Sequence, residues 1–589
     1  MKKNNNETLK ETFVLAVQSY RKGKIENAEN FCYKILNIDD KHFDSISMLA
    51  TIFARKNNYK EAKKLLLKAI TIQPDSASTL NNLGTACKEL GEYEDAKQYY
   101  QKVLKIYPNY TNANYNLGLI FHKLRDLEKA KTYLQKTVEI QNNYALAYFS
   151  LANVYVDLKN FDSAISSYQK CIEINPNISG AHNNLGLVFR ILNDFENAIK
   201  CYNGVIKINP NHVGAHHNLA LAYKELGDFK NAIKSHETAI KHEPSNPVHY
   251  YYLSELKKST LNLELKKKIK KIIQDNKSNE RTLAYSNFLL AKYERKEKNY
   301  EKELSHLVEG HTNFFESNAK KFKLGVKYCF DDVIKISEGA EVEGFDKNIN
   351  YELKPIFIIG VPRSGSTLVE KIIGSGETLI PMGEETQVLE NYFNKKLLEK
   401  KSLNLGSTDS IRNELHEIYK SKCLISKKYK YNFTDKSLNN FFYLELVKKI
   451  YPKAKIVNCK RNIISSIMSI FQNNLTELAW THDLENIFKY FDNYFNIIEN
   501  FDEVYPNTIY HVDYEKLVAD PENESKSLMK FCNLSWDKKC LEFYKRKDLI
   551  SKTASNVQIR QAIYQHSINR YLPYKKLLDK YGKKYSWFN

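Results

Sequence analysis

The residues best suited to chemistry follow a short apolar run. The segment "PIFIIGVPRSGSTLVEKII" begins at Pro355, and its β-branched start predicts a buried strand that ends at Gly360. The apolar residues of "STLVEKII" recur at helical spacing, so residues 360–367 connect a strand to a helix. Backbone N–H groups in such a loop favour an anion such as phosphate. A tight structural turn is the alternative interpretation.

This loop lacks the lysine that a nucleoside triphosphatase places against its β- and γ-phosphates. Ser366 occupies that position, although the glycines and the threonine of the pattern are kept. Arg363, inside the loop, offers several N–H donors to an anionic group. The residue after the second strand, where a metal-holding aspartate would be expected, is Arg461. A P-loop kinase is therefore disfavoured.

Polar residues follow three later extended segments. Lys436 ends the segment "NFTDK". Arg461 follows the strand-like run "AKIVNC", and Ser469 lies eight residues further on, in the next helix. The strand "TIYHV" leads to Tyr514. Taken singly, Arg461 can be a surface partner of nearby acids, Ser469 a helix-interior residue and Tyr514 a packed strand residue.

Together these segments resemble the sulfotransferases that use 3′-phosphoadenosine 5′-phosphosulfate (PAPS). In particular they resemble the tyrosylprotein sulfotransferases and the bacterial proteins that join tetratricopeptide repeats to such a domain. The resemblance covers residues 351–589 and implies an α/β P-loop-like domain with a central parallel sheet. It implies that the 3′-phosphate lies against Arg461 and Ser469, and the adenine against Tyr514. It assigns the 5′-phosphosulfate to Arg363, Ser364, Gly365, Ser366 and Thr367. Ser555 and Arg570 are the best matches for the segment that closes over this co-substrate.

The motif "GEET" at residues 383–386 points to one branch of that family. Tyrosylprotein sulfotransferases carry the same motif with its second glutamate, here Glu385, as general base, whereas cytosolic small-molecule sulfotransferases use a histidine. A base is needed because a phenol with a pKa of about 10 is a weak nucleophile at neutral pH. Lys436 and Arg363 would stabilise charge on the leaving phosphate, and no metal is implied. Alternatively, Glu384 and Glu385 only occupy the first turn of a helix, and which of them is the base stays open.

Ahead of this region the sequence repeats with a period of 34 residues. Positions that lie 34 residues apart form a column, and one column holds Leu15, Leu49, Leu83, Leu117, Leu151, Leu185 and Leu219. A second holds Ala28, Ala62, Ala96, Ala130, Ala164, Ala198 and Ala232, and a third holds Pro74, Pro108, Pro176, Pro210 and Pro244. This pattern resembles the tetratricopeptide repeat, a helix–turn–helix unit whose second helix ends before the proline. We expect seven repeats over residues 9–246, stacked into a superhelix with a concave face.

A fourth column lies on the helix that lines the concave face in this repeat family. It holds Asn82, Asn116, Asn184 and Asn218, with Ser150 in the gap. An amide offers a donor and an acceptor, which suits the backbone of an extended peptide. The column resembles the peptide-holding ladder in the repeat arm of O-linked N-acetylglucosamine transferases. Local hydrogen bonding between neighbouring helices is the alternative.

The predicted organisation has three parts. An all-α tetratricopeptide superhelix over residues 9–246 is followed by a helical cap and connector over residues 247–350, because the period decays after residue 247. The α/β sulfotransferase domain over residues 351–589 comes last. The basic run "KKKIKKII" at residues 266–273 is interpreted as a solvated helix face, with nucleic-acid or membrane contact as the alternative.

Composition limits the other function classes. The net charge is +20, and no window offers about 18 consecutive apolar residues, so no membrane span is expected. Nine cysteines without a C-x-x-C pair predict reduced thiols. The start "MKKNNNETLKETF" carries no apolar leader, so we expect a cytoplasmic protein. No other feature indicates a nucleic-acid partner.

Two classes of function remain. The first is PAPS-dependent transfer to a hydroxyl, preferably a tyrosine of a polypeptide presented by the repeat arm. Within that class a carbohydrate, lipid or small-molecule hydroxyl is the alternative acceptor, with the repeats used for docking or for a homodimer. The second class is a non-catalytic repeat scaffold with a degenerate nucleotide domain. The retention of Arg363, Lys436 and Arg461 argues against such decay.

Overall fold

The structure, a computed structural model, describes residues 2–276, 279–344, 351–400, 404–425, 431–546, 560–563 and 571–588. The chain divides into two compact units, residues 1–218 and 219–589. The repeat helices are α1 (Lys2–Arg21), α2 (Ile25–Leu36), α3 (Phe43–Arg55), α4 (Tyr59–Ile72), α5 (Ala77–Glu89), α6 (Tyr93–Ile106), α7 (Thr111–Lys123), α8 (Leu127–Ile140), α9 (Ala145–Asp157), α10 (Phe161–Ile174), α11 (Ser179–Ile191), α12 (Phe195–Ile208), α13 (Val213–Leu226) and α14 (Phe229–His242). These consecutive helix pairs confirm the predicted repeat array.

Local sequence signals set the ends of the repeat helices. In α4 and α10 the N-cap is an asparagine, Asn58 or Asn160, whose side chain accepts a hydrogen bond from the backbone N–H three residues on. Asp126, Asp194 and Asp228 do the same for α8, α12 and α14. The second helix of a repeat ends two residues before its proline, as at Ile72 and Ile106.

The alanine and leucine columns pack as the 34-residue period predicts. All seven alanines of the column are fully buried, which allows two helices to approach closely. Six of the seven leucines are also buried, but Leu15 is 47% exposed. Leu15 lies on α1, the first helix that the structure describes.

The second unit continues with more helices and then the strands of an α/β domain. The helices before the first strand are α15 (Pro247–Leu256), α16 (Leu263–Asp275), α17 (Glu280–Lys296), α18 (Tyr300–Glu316), α19 (Ala319–Lys327) and α20 (Val333–Gly339). The remaining elements are β1 (Glu341–Glu343), β2 (Lys354–Ile359), α21 (Ser366–Gly374), β3 (Met382–Glu384), α22 (Val388–Lys400), β4 (Asn404–Ser407), α23 (Thr408–Ser421), β5 (Asn432–Lys436), α24 (Leu444–Ile450), β6 (Lys455–Lys460), α25 (Ile463–Phe471), α26 (Leu484–Val504), β7 (Ile509–Asp513), α27 (Tyr514–Ala519), α28 (Pro521–Phe531) and α29 (Lys575–Gly582).

Five strands form one parallel sheet in the order β3-β5-β2-β6-β7, which confirms the predicted central parallel sheet. Strand β2 is central and apolar on both faces. Its Ile356 and Ile358 pack into one hydrophobic cluster, and Phe357 and Ile359 pack into another. This alternation follows from the two-residue period of a strand covered on both sides. Strands β1 and β4 form a separate parallel pair.

Helices α15–α20 share one apolar core with the sheet. The cluster that contains Phe357 of β2 also contains Val248 of α15, Phe288 of α17 and Leu307 of α18. It extends to Phe471 at the end of α25. The helices ahead of the first strand are therefore part of the same hydrophobic core as the α/β layers.

A buried carboxylate joins these helices to the rest of that unit. Glu303 on α18 is fully buried, and its Oε1 accepts hydrogen bonds from Arg295 Nε at 2.6 Å and Gln472 Nε2 at 2.9 Å. Its Oε2 accepts a hydrogen bond from the Tyr574 hydroxyl at 2.5 Å. Gln472 directly follows α25, so Glu303 fixes the carboxyl end of that helix.

A buried histidine pair makes a second link between the same helices. His311 on α18 donates from Nε2 to the carbonyl of Phe471 at 2.7 Å. Its Nδ1 lies 2.8 Å from His482 Nδ1 and therefore accepts a hydrogen bond from it when both rings are neutral. Burial lowers the pKa of His311 to about 4, and burial together with His311 lowers the pKa of His482 to about 2.

Because His311 and His482 are buried and neutral, we expect the second unit to lose stability in mild acid. In the unfolded chain both rings bind protons near pH 6.5, whereas in the folded chain they stay neutral, so stability falls as the pH drops from about 6.5 towards 4. Each histidine contributes about 1.4 kcal/mol per pH unit in that window. All three tryptophans lie in residues 480–587, so tryptophan fluorescence reports the thermal midpoint of this unit.

The variant His482→Asn keeps an N–H donor near Nδ1 but cannot titrate. We expect it to flatten the decline of the midpoint between pH 7 and pH 5. The exposed His242 supplies the control variant His242→Asn, which should leave the slope unchanged. A midpoint independent of pH in the unmodified chain would contradict the prediction.

Candidate active site

All five strands of the main sheet end at one edge, and a candidate residue follows each carboxyl end. Along that edge, in the order of the strands, lie Glu385 after β3, Lys436 at the end of β5, the loop after β2, Arg461 after β6 and Tyr514 after β7. Crevices outside the carboxyl ends of parallel strands are the usual ligand sites in α/β sheets. The sheet thus gathers residues that are far apart in the sequence, from Arg363 in the loop to Tyr514, 151 positions later.

The loop between β2 and α21 is closely packed against its neighbours. Gly365 has φ +99°, and a Cβ at this residue would lie 2.5 Å from the ring of Tyr514. Gly360 has φ +142°, and a Cβ there would lie 2.7 Å from the carbonyl oxygen of Cys459. Arg363 also adopts a positive φ of 68°. Both glycines are therefore required by backbone conformation and by space.

The hydroxyl-bearing residues of the loop are buried. Ser364 is fully buried, and Ser366 and Thr367 are each 7% exposed at the start of α21. The Nε of Arg363 donates a hydrogen bond to the Ser469 hydroxyl at 3.1 Å. The loop is thereby joined to α25, where sequence reasoning placed the 3′-phosphate.

Arg461 lies between the loop and Tyr514. Its Nη1 donates to the carbonyl of Arg363 at 3.1 Å, and its guanidinium carbon lies 4.6 Å from the centre of the Tyr514 ring. Its Nε is buried, and none of the described residues accepts a hydrogen bond from it. Buried donors are normally paired, so this guanidinium suits an anion next to the loop.

On the other side of the loop, an ion pair joins β5 to the turn after β3. Lys436 Nζ lies 2.8 Å from Glu385 Oε1 and 3.7 Å from Glu384 Oε1. Lys436 is 2% exposed; burial alone would lower its pKa, but Glu385, Glu384 and Glu370 outweigh burial and raise it. Lys436 is therefore a cation at any physiological pH.

Two charged residues of this site were not recognised from the sequence. Lys371 on α21 is buried, with its Nζ 3.6 Å from Glu384 Oε2 and 4.0 Å from Glu370 Oε2. Thr434 donates a hydrogen bond to Glu370 at 2.7 Å, and burial raises the pKa of Glu370 to about 7. The available signal was the pair Glu370–Lys371 inside the otherwise apolar run of α21.

The turn that carries Glu385 has an unusual backbone. Glu385 and Gln387 both adopt φ +52°, a left-handed conformation that costs a side-chain-bearing residue about 1–3 kcal/mol. The N–H of Glu385 donates to the carbonyl of Lys436 at 2.7 Å. Strain of this kind persists only where surrounding contacts hold it, and it is common at active sites.

The asparagine column is partly occupied by local hydrogen bonds. Asn184 donates to Asn153 at 3.1 Å, and Asn218 donates to Asn183 at 2.9 Å. Asn82 is exposed and Asn116 half-buried. The contacts of Asn184 and Asn218 match the local alternative, and a peptide-holding role for the column stays a prediction.

Two predicted residues, Ser555 and Arg570, lie outside the described residues. Among the helices that the structure describes, none is both long and apolar enough to cross a membrane.

Comparison with known proteins supports both halves of this architecture. Residues 355–538 match the sulfotransferase family. Tetratricopeptide repeats match residues 43–109, 89–152, 145–178, 167–200, 186–227 and 215–248.

Three curated relatives share part of the chain. An uncharacterized protein of Aquifex aeolicus (strain VF5) is 28% identical over 310 residues, which cover 50% of this chain and 40% of that protein. Protein-tyrosine sulfotransferase 1 of Danio rerio is 26% identical over 211 residues, 32% of this chain and 55% of that protein. Protein-tyrosine sulfotransferase A of Caenorhabditis elegans is 25% identical over 263 residues, 42% of this chain and 66% of that protein.

The chain thus spans 40–66% of the length of these relatives. The family match falls on the sheet whose edge gathers the loop, the arginine and the lysine described above, and the repeat matches fall on the paired helices. The chain joins a tetratricopeptide-repeat array to a domain of the sulfotransferase family.

Proposed function

We propose that this protein transfers a sulfuryl group from PAPS to a hydroxyl of an acceptor, preferably a tyrosine in a polypeptide. When bound, PAPS supplies a sulfuryl group whose bond to the 5′-phosphate breaks as the acceptor oxygen bonds to sulfur. The chain's own residues hold the two phosphates, accept the proton of the hydroxyl and stabilise the charge left on the phosphate.

The observation that carries the proposal is the order of residues along the sheet edge. The loop lies in the middle, with Arg461 and Tyr514 on one side and Lys436 and Glu385 on the other. This order suits a molecule with a nucleotide and a 3′-phosphate at one end and a transferable group at the other. Ser366, in place of the lysine of triphosphatases, fits a loop that holds a 5′-phosphosulfate, which carries less negative charge than the triphosphate of ATP.

Glu385 is better placed than Glu384 to accept the proton. The side chain of Glu385 is 30% exposed and touches one lysine, Lys436. Glu384 is 12% exposed and lies between two lysines, Lys371 and Lys436. An acceptor can therefore approach Glu385, while Glu384 serves to balance the two ammonium groups.

In this proposal, negative charge develops on the departing phosphate close to two cations, Lys436 and Arg363. Lys436 is held at the end of β5 by its carboxylate partners, and Arg363 is held in the loop by Ser469. Fixed cations in a site with little water stabilise a leaving anion more than mobile ones do, because no reorganisation is needed. These two residues are proposed to stabilise the departing phosphate.

Similarity to the named tyrosine sulfotransferases and the GEET motif support tyrosine as the acceptor. A carbohydrate hydroxyl is the alternative acceptor class. A transfer assay with labelled PAPS, offered tyrosine-containing peptides in one set and oligosaccharides in another, separates the two.

Calorimetry of the full chain with 3′-phosphoadenosine 5′-phosphate (PAP) and with ADP tests the donor site. We expect PAP to bind at least about 10-fold more tightly, since a lost contact to a charged group is worth about 1.5–3 kcal/mol. Arg461→Ala should remove that preference. The neighbouring exposed Lys460 gives the control Lys460→Ala, which makes the same change of charge and should keep it. Equal affinity for PAP and ADP would refute the PAPS proposal.

A further inference from the structure

The turn that carries Glu385 is attached to a buried carboxylate that the proposed mechanism does not use. Asp435 is the residue before Lys436 on β5, and it is fully buried. It pairs with Gly383 of β3 in the sheet register, two residues before Glu385. We infer that Asp435 is a positioning residue, which fixes the turn so that Glu385 meets the acceptor; this inference rests on the proposed function.

Four side-chain donors converge on the Asp435 carboxylate. Oδ1 accepts hydrogen bonds from Ser437 Oγ at 3.0 Å, Asn440 Nδ2 at 3.0 Å and Thr386 Oγ1 at 3.3 Å. Oδ2 accepts one from the Tyr419 hydroxyl at 2.7 Å. An ionised carboxylate has about four acceptor sites, and four donors contact this one, three of them at Oδ1.

One of these contacts reaches the turn directly. Thr386 is the residue after Glu385, and its hydroxyl is anchored to Asp435. The Thr386 methyl carbon would also lie 3.3 Å from a Cβ on Gly383, so the turn is closely packed at this point. The backbone on the carboxyl side of Glu385 is thereby held against β5.

A second contact reaches the turn through a serine. Ser437 donates its hydroxyl proton to Asp435 and accepts a hydrogen bond from the N–H of Gln387 at 2.9 Å. Because Asp435 takes the proton of Ser437, the serine oxygen is left facing Gln387 as an acceptor. The orientation of Ser437 therefore depends on Asp435.

The two contacts hold the part of the turn that contains the residues with left-handed backbone angles. Glu385 and Gln387 have φ +52°, and the anchored groups are Thr386 between them and the N–H of Gln387 itself. An asparagine at position 435 would offer one acceptor oxygen in place of two and would present its own N–H groups to donors. The turn would lose part of its support and relax to more favourable backbone angles, which moves the Glu385 side chain.

A purely structural role is the competing explanation, since Tyr419 and Asn440 join Asp435 to α23 and to the segment before α24. The two roles differ in what they change. Loss of a structural contact lowers the stability of the whole unit, whereas loss of positioning changes kcat and the local protection of the turn.

The test compares Asp435→Asn with the unmodified full chain. We expect kcat for transfer to fall by about 100-fold, as for a catalytic group displaced by about 1 Å, with the affinity for PAP within about twofold. We also expect hydrogen exchange at residues 385–387 to accelerate by about 10-fold, with exchange in the loop at residues 360–367 unchanged.

Two further variants keep the test decisive. Ser437→Ala removes the acceptor for Gln387 but leaves Asp435 and its contact with Tyr419 in place, and it should reproduce the faster exchange if Asp435→Asn fails to fold. Asp409 is 68% exposed on α23, so Asp409→Asn makes the same chemical change and should alter none of the readouts.

The inference fails if exchange at residues 385–387 is unchanged in both Asp435→Asn and Ser437→Ala. It also fails if exchange rises equally at residues 360–367, since that result indicates general loosening. If the unmodified chain binds PAP but transfers no sulfuryl group to any acceptor, the proposed function is wrong, and the exchange data still decide whether Asp435 holds the turn.

Discussion

Replacing Glu385 by glutamine lowers kcat for sulfuryl transfer by about 10²–10⁴-fold, the usual contribution of a general base. The amide keeps the size of the side chain but cannot accept the proton of the hydroxyl. Because Glu385 makes no described contact with Arg461 or Ser469, PAP should still bind, and the loss of kcat should be much larger than any change in the affinity for PAP. Steady-state kinetics and calorimetry with PAP measure the two quantities on the same preparation.

Two comparisons make that experiment specific. Glu384→Gln tests the neighbouring carboxylate, which lies between Lys371 and Lys436, and its effect on kcat should be the smaller of the two. Glu445 is exposed on α24, and Glu445→Gln should behave like the unmodified chain. If Glu384→Gln abolishes transfer while Glu385→Gln does not, the assignment of the base is reversed.

Replacing Glu303 by alanine destabilises the second unit by about 3–5 kcal/mol, because it removes the fully buried carboxylate from an ionic contact whose other partner, Arg295, is mostly buried. The guanidinium of Arg295 then lacks its counter-charge, and Gln472 and Tyr574 both lose their acceptor. Urea unfolding followed by tryptophan fluorescence measures the change, since the tryptophans all lie in this unit. The repeat array need not unfold in the same transition.

Glu301, two residues earlier on α18, is exposed and supplies the matched control. Glu301→Ala should change the free energy of unfolding by less than about 0.5 kcal/mol. A double-mutant cycle of Glu303→Ala with Tyr574→Phe should show a coupling of about 0.5–3 kcal/mol. A cost for Glu303→Ala no larger than that for Glu301→Ala would contradict the prediction.

The repeat helices and the main sheet could be predicted from the sequence because their signals are local. A leucine, an alanine and a proline at fixed spacing are enough to place a helix pair, and "PIFII" followed by a glycine-rich loop is enough to place β2 and α21. The predicted parallel sheet is confirmed, and its local signal is clearest at β2 and β6, where a short apolar run is followed by a helix, whereas β3 and β5 are more polar.

The contacts inside the site could not be predicted, because they depend on the order of the strands. Lys371 meets Glu384 only because β3 lies next to β5 and at the edge of the sheet beside α21. The bond from Arg363 to Ser469 depends likewise on β2 lying next to β6. Sequence spacing gives the residues that follow a strand but not the strand beside which they will lie.

The shared core of α15–α20 and the sheet limits how this protein could exchange parts during evolution. A recombination point between α20 and β2 would separate Glu303 and His311 from the end of α25, which both of them hold. A point ahead of Pro247 would leave those contacts whole. Repeats can therefore be gained or lost at the amino-terminal side while helices α15–α20 and the α/β layers are inherited as one piece.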